Sequence, residues 1–228
     1  MIRHLLIAAL AASIGTAASA GLIAQWDFNS QTLAPSFGAA TLAPVGGTSG
    51  GTFAQAAGSS DPLQPGFGWQ TSGYPSQGQA SGTAGIEVVV NTLDYEDIVI
   101  HWDQRASNTA SRWTQLLCST DGGLTFAGLD TFEFGAGSTW FNNRTVNLSP
   151  ITAANHNASL VLRIVSIFAP GTSTYLAADG ASTYGGGTWR FDMISIEGTP
   201  AVVPAPGAAA LLGMSGMSGL VGSRRRRR

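Results

Sequence analysis

Alternation of apolar and polar residues is the feature that most limits how this chain can fold. Ile98, Ile100 and Trp102 alternate with Val99, His101 and Asp103. That two-residue period puts one row of side chains on each face of a β-strand. Further strand-like runs lie at 22–28, 86–90, 112–119, 132–134, 139–148, 160–168 and 189–197. Turn-forming Gly, Pro, Asn, Asp and Ser separate them. The 160–168 run is apolar enough to be buried on both faces. No stretch between the two ends sustains the i, i+3, i+4 apolar pattern of a capped helix. The chain has 30 Gly, no Lys and only 11% charged residues, a poor supply of helix formers. Eight or more strands without a helix predict an all-β protein, an antiparallel β-sandwich of the jelly-roll type.

The ends have a different character. Residues 1–20 read MIRHLLIAALAASIGTAASA, with a short positive start, an apolar stretch and a small-x-small ending at Ala18-Ser19-Ala20. This is the layout of a secretory signal peptide, with cleavage expected after Ala20 by signal peptidase. Residues 201–228 run from Pro204-Ala205-Pro206 through a weakly apolar stretch to Arg224, Arg225, Arg226, Arg227 and Arg228. An arginine cluster resists translocation while an apolar stretch halts in the bilayer, so such a tail associates transiently with the inner membrane. Between the ends, residues 21–200 are expected to form one domain, large enough to bury a core.

The carboxy-terminal layout resembles the PEP-CTERM sorting signals of exported Gram-negative bacterial proteins, with Ala205 where that family has its central Glu. The resemblance implies secretion, processing by an exosortase-like enzyme, and a final location at the cell surface or outside the cell, often with exopolysaccharide. The middle loosely resembles jelly-roll domains of such proteins at Trp26-Asp27-Phe28, Ser119-Thr120-Asp121-Gly122-Gly123 and Arg190-Phe191-Asp192. That likeness implies a fold, not an activity.

Charge narrows the function classes. Residues 21–200 hold five Arg against 13 Asp and Glu, a net charge of −8. Such a domain repels a phosphate backbone, which argues against nucleic-acid binding. The single cysteine, Cys118, excludes an intrachain disulfide and reads as a small buried hydrophobe. Nucleophile elbows, zinc-binding helices and phosphate loops are absent from the sequence, which argues against an enzyme. A jelly-roll glycoside hydrolase using two distant carboxylates stays as a minor alternative.

Three sets of residues carry candidate roles. Ser119, Asp121, Gly123, Thr125 and Phe126 resemble the Asp-box of sialidases and other secreted β proteins. One box in about 180 residues is a hairpin device, with Asp121 capping turn amides and glycine supplying positive φ. Asp27 and Asp192 fall in the first and last strands, where their carboxylates, with carbonyls or Asn29, would supply oxygens for a structural calcium ion. Otherwise no cofactor is expected. Phe67, Trp69 and Tyr74 lie among Gly and Gln in a segment, 56–82, that reads as a long loop, as does 169–187. They would either stack on sugar rings or pin the loop to the sandwich. The expected function is a non-enzymatic structural or interaction module at the cell surface or in the extracellular matrix. Binding of extracellular polysaccharide is the alternative.

Overall fold

The computed structural model describes residues 19–201. The expected sorting residues Pro204, Ala205, Pro206 and Arg224 to Arg228 lie outside that range. Twelve strands form in chain order: β1 (Gly21–Trp26), β2 (Phe37–Gly38), β3 (Ala40–Val45), β4 (Ser49–Gln55), β5 (Phe67–Ser72), β6 (Gly85–Val90), β7 (Tyr95–Ala106), β8 (Trp113–Ser119), β9 (Ala127–Glu133), β10 (Trp140–Asn147), β11 (Leu160–Ile167) and β12 (Trp189–Pro200). They build an antiparallel sandwich of two sheets. The seven-stranded sheet runs β10-β7-β12-β1-β2, and β12 also pairs with β5, which pairs with β4. The five-stranded sheet runs β3-β6-β11-β8-β9.

Alternation decides what lies between the sheets. In β7 the inward row is Ile98, Ile100, Trp102, Gln104 and Ala106; in β11 it is Leu160, Leu162 and Ile164. Four tryptophans, Trp26, Trp69, Trp102 and Trp189, are fully buried. Each donates its indole N–H within the domain, to Leu33 O, Gly50 O, Gln104 Oε1 and Ser111 O respectively. Large rings thus enter the core without stranding a donor.

Residues 56–82 are not one loop, as expected from their Gly, Ser and Gln content. Residues Phe67–Ser72 form β5, in register with β12 and β4. The period-two signal is there in Phe67, Trp69 and Thr71, but Gly68, Gln70 and Ser72 between them dilute it. Gly68 is needed where it stands, because a Cβ would lie 2.9 Å from Phe191 O. The 169–187 segment forms no strand and is tied down instead. Gln77 accepts from Tyr175 N and donates to Tyr175 O, and Tyr184 donates to Pro75 O.

Candidate functional site

The two outer faces of the sandwich differ. On the seven-stranded sheet, a strap of residues 56–66 between β4 and β5 covers the outer face of β7 and β12. Ser60 N donates to Asp103 Oδ2, and Asn142 Nδ2 donates to Gly58 O at 2.9 Å. Asp103 and Asp192 are buried beneath it although their strands turn them outward.

The five-stranded sheet has a partly open outer face, where Glu87, Trp113, Gln115, Leu117 and Arg163 are half-buried while Val161 and Val165 in the same row are buried. Strand register sets Glu87 beside Arg163 and Arg163 beside Leu117. One step along, Val165 lies beside Gln115, and next Ile167 beside Trp113. Arg163 Nε donates to Glu87 Oε2 at 2.7 Å, a charge-assisted bond that fixes both side chains. The Arg163 guanidinium lies over the Phe126 ring, 4.0 Å from its centroid. Gly128 on β9 makes room for the Gln115 amide, since a Cβ there would sit 2.7 Å from Gln115 Nε2. Trp113 is half-buried and belongs to neither hydrophobic cluster of the domain. One end of the face is bounded by the 168–184 segment, held to the start of β8 by Arg112 Nε donating to Ala177 O at 3.0 Å. At the other end sits the β8–β9 turn.

That turn holds the five Asp-box residues. Asp121 Oδ1 accepts from Ser119 Oγ at 2.6 Å, Leu124 N at 3.1 Å and Thr125 N at 3.0 Å. Asp121 Oδ2 accepts from the Thr125 hydroxyl, and Gly123 N donates to Ser119 Oγ at 2.8 Å. The Ser119 and Thr125 hydrogen bonds hold the exposed Asp121 carboxyl well below the ordinary carboxylate range. Gly122 and Gly123 take φ of 74° and 92°, the left-handed region the turn requires. Phe126 leaves the turn to lie on the open face under Arg163.

The other sequence candidates fall elsewhere. Trp69 does not form an exposed platform. It is fully buried, packed against Phe28 and Phe191. Tyr74 is buried too, with its hydroxyl 2.6 Å from Thr71 Oγ1 and its ring against Trp189. Burial raises its phenol well above the usual range. Phe67 stays half-buried beside a shallow groove with Leu63 and Pro65. Trp69 and Tyr74 supply area to the core, which outweighs exposure for rings of that size. Ala20 is exposed and immediately precedes β1. Cys118 is buried, and burial pushes its thiol up to about 11.

Asp27 and Asp192 each find partners close at hand. β1 and β12 do lie side by side, but Asp27 Oδ1 accepts from Asn29 N in its own turn. The acidic neighbours of Asp192 are Asp61 and Asp103. Sequence reading missed both, because Asp103 comes from β7 and Asp61 from the strap. Among the described residues no group of three or more His, Cys, Asp or Glu is arranged to hold a metal ion. The histidines serve local bonds, His101 Nδ1 with Thr145 Oγ1 at 2.8 Å and His156 Nδ1 with Leu93 O at 2.9 Å.

No protein-family model and no curated protein matches this chain. Solved structures of similar fold include the CBM22-1 xylan-binding domain of Paenibacillus barcinonensis Xyn10C, at 12% identity and a TM-score of 0.48 over 82% of this chain and 100% of that one. The K1 cleaved adhesin domain of Lys-gingipain from Porphyromonas gingivalis is similar at 14% identity and a TM-score of 0.40, over 71% and 99%. A Clostridium thermocellum xylanase 10B chain carrying CBM22-1 and GH10 modules matches at 14% identity and a TM-score of 0.40, over 69% of this chain. The match spans about a quarter of that enzyme chain, 27%.

Proposed function

We propose that this chain is an exported cell-surface or extracellular-matrix protein whose sandwich is a non-enzymatic interaction module. The open face of the five-stranded sheet is its binding surface, and extracellular polysaccharide is the ligand class that fits. The observation that carries this reading is the half-buried row of Trp113, Gln115, Leu117, Arg163 and Glu87 beside Phe126. A flat indole packs on the apolar face of a sugar ring, while a fixed amide and an ion pair bond hydroxyls around it. A rigid strand scaffold holds these groups in place without ordering a loop on binding.

Affinity electrophoresis of the mature domain through gels containing neutral and acidic exopolysaccharides tests this. The wild type should be retarded by at least one polysaccharide. Trp113→Ala should weaken that retardation by about tenfold or more, as truncation of a central aromatic does. Trp140→Ala, on the other sheet, should leave it unchanged. Retardation that survives loss of Trp113 would remove the open face as the binding surface.

Export and sorting rest on the sequence of the two ends. Intact-mass spectrometry of the protein from membrane, surface and medium fractions of its host should find a species running from Gly21 to near Pro204. An extracellular species retaining Arg224 to Arg228 would defeat the sorting reading.

A further inference from the structure

Two arginines stand side by side on the seven-stranded sheet. Arg105 on β7 and Arg190 on β12 are directly paired across it. Strand alternation turns both to the outer face, two residues along from Asp103 and Asp192, and both are half-buried. Like charges directly opposed on one sheet face are destabilising. The other arginines of the domain are treated differently. Arg163 bonds Glu87, Arg112 lies 3.8 Å from Glu133, and Arg144 is enclosed by three phenylalanine rings. Among the described residues neither Arg105 nor Arg190 forms a salt bridge. The carboxylates next along their strands lie beneath the strap and are engaged there. Asp103 accepts from Ser60 N and Asn143 N, and Asp192 from Met193 N and the Ser59 hydroxyl.

Both guanidinium groups are oriented by carbonyl and amide oxygens. Arg105 Nε donates to Ser138 O at 3.0 Å. Ser138 takes a φ of 57°, uncommon for a residue with a side chain, and its own N–H donates to Ala106 O at 2.7 Å. Arg105 makes no other hydrogen bond among the described residues, so both of its Nη groups are left to donate. Arg190 Nη1 donates to Gln55 O at 2.6 Å and Nη2 to Gln70 Oε1 at 2.7 Å. Its Nε is buried and has no partner among the described residues. Gly68 leaves room for its stem, since a Cβ there would lie 3.0 Å from Arg190 Cγ. Burial, with the charge of Arg105 adding to it, lowers the Arg190 pKa.

Two positive charges on neighbouring strands are matched by one group that bears two negative charges and several acceptor oxygens. A phosphate monoester has both, and forked guanidinium groups fit its oxygens. A carboxylate would neutralise only one of the two. The net charge of −8 on residues 21–200 opposes a polyanion. At physiological salt, however, exposed charges more than about 8 Å away are largely screened, so a single phosphate group answers mainly to the pair beside it.

We propose that Arg105 and Arg190 form a phosphate-binding site on the seven-stranded sheet, separate from the face assigned to polysaccharide. Its ligand is a phosphate group, either the free ion or a monoester on a larger molecule. Titration of the nitrogen-15-labelled domain with inorganic phosphate, glucose 1-phosphate and acetate, at pH 7.5 in chloride at physiological ionic strength, reads the site through the arginine Nε–H signals. Those of Arg105 and Arg190 should shift to saturation with inorganic phosphate, while those of Arg112 and Arg163 stay in place. Acetate should bind about tenfold more weakly or worse, having one charge to offer. Saturation by inorganic phosphate but not by glucose 1-phosphate assigns the site to the free ion, and saturation by both assigns it to a phosphate monoester. Arg105→Gln should weaken phosphate binding by about tenfold or more. Arginine signals that do not move or that all move alike, acetate binding as tightly as phosphate, or an unchanged phosphate affinity in Arg105→Gln would each overturn the site.

Discussion

Arg144 shows how this fold carries charge inside. It lies on the inward row of β10, 7% exposed, with its guanidinium among the rings of Phe132, Phe134 and Phe141 at 5.2, 4.3 and 5.3 Å from their centroids. Its Nη2 donates to Glu133 O, and Nη1 has no partner among the described residues. Burial lowers its pKa to about 9. Attraction to three ring faces offsets part of the desolvation cost, and a flat guanidinium fits that cage where an ammonium does not. Arg144→Lys should lower the unfolding free energy by about 1–2 kcal/mol, and Arg144→Met should cost less, because it removes the buried charge with its desolvation penalty. Urea denaturation at pH 7 orders the two, and a Met variant less stable than Lys would contradict this account. Gly66 sets a steric limit of another kind. A Cβ there would stand 2.5 Å from Asp61 Oδ2, 2.6 Å from Leu63 O and 2.8 Å from Asn29 Oδ1. Gly66→Ala should therefore destabilise the domain by about 2 kcal/mol or more through overpacking, again read by urea denaturation.

At the scale of elements, β8 and β9 pair from Trp113 opposite Glu133 to Cys118 opposite Ala127, and side chains fix the turn that joins them, while β9 is mostly exposed. Ser119 is 1% exposed and bonds both Asp121 and Gly123. Ser119→Ala removes both bonds and should cost about 1–2 kcal/mol. Asp121→Ala should fray the turn, seen as faster exchange of the Leu124 and Thr125 amides with little change in the core. Because the fold lowers the Asp121 carboxyl, its contribution is present above the ordinary carboxylate range. It is lost as pH falls below that range. Acid should therefore loosen this hairpin. Amide exchange of Leu124 and Thr125 at pH 3 and 5.5, corrected for intrinsic rates, checks this. The Asp-box was legible in the sequence because all its bonds span four residues or fewer. Strand β5 was not, because its identity comes from pairing with β12, with Trp189 opposite Thr71 and Phe191 opposite Trp69.

Over the whole molecule, the sandwich has one strapped face and one partly open face, and the latter carries a row of fixed polar and aromatic groups. Closure of the domain joins its two ends, with Gly21 opposite Gly198 across β1 and β12. The sequence alone determined the class of fold and the sorting expectation. Period-two alternation, turn residues and the composition of the ends are local properties that need no tertiary partner. It also located the Asp-box and the burial of Cys118. The tertiary structure decided which aromatic residues are buried and which acids meet. Trp69 and Trp113 both alternate with polar neighbours, and alternation separates two faces without saying which one the second sheet will cover. Asp192 pairs with Asp103 and lies under Asp61 because β12 runs beside β7 and the strap folds over both. Antiparallel pairing brings together residues distant in the chain, and such meetings leave no mark on the local pattern around any one of them.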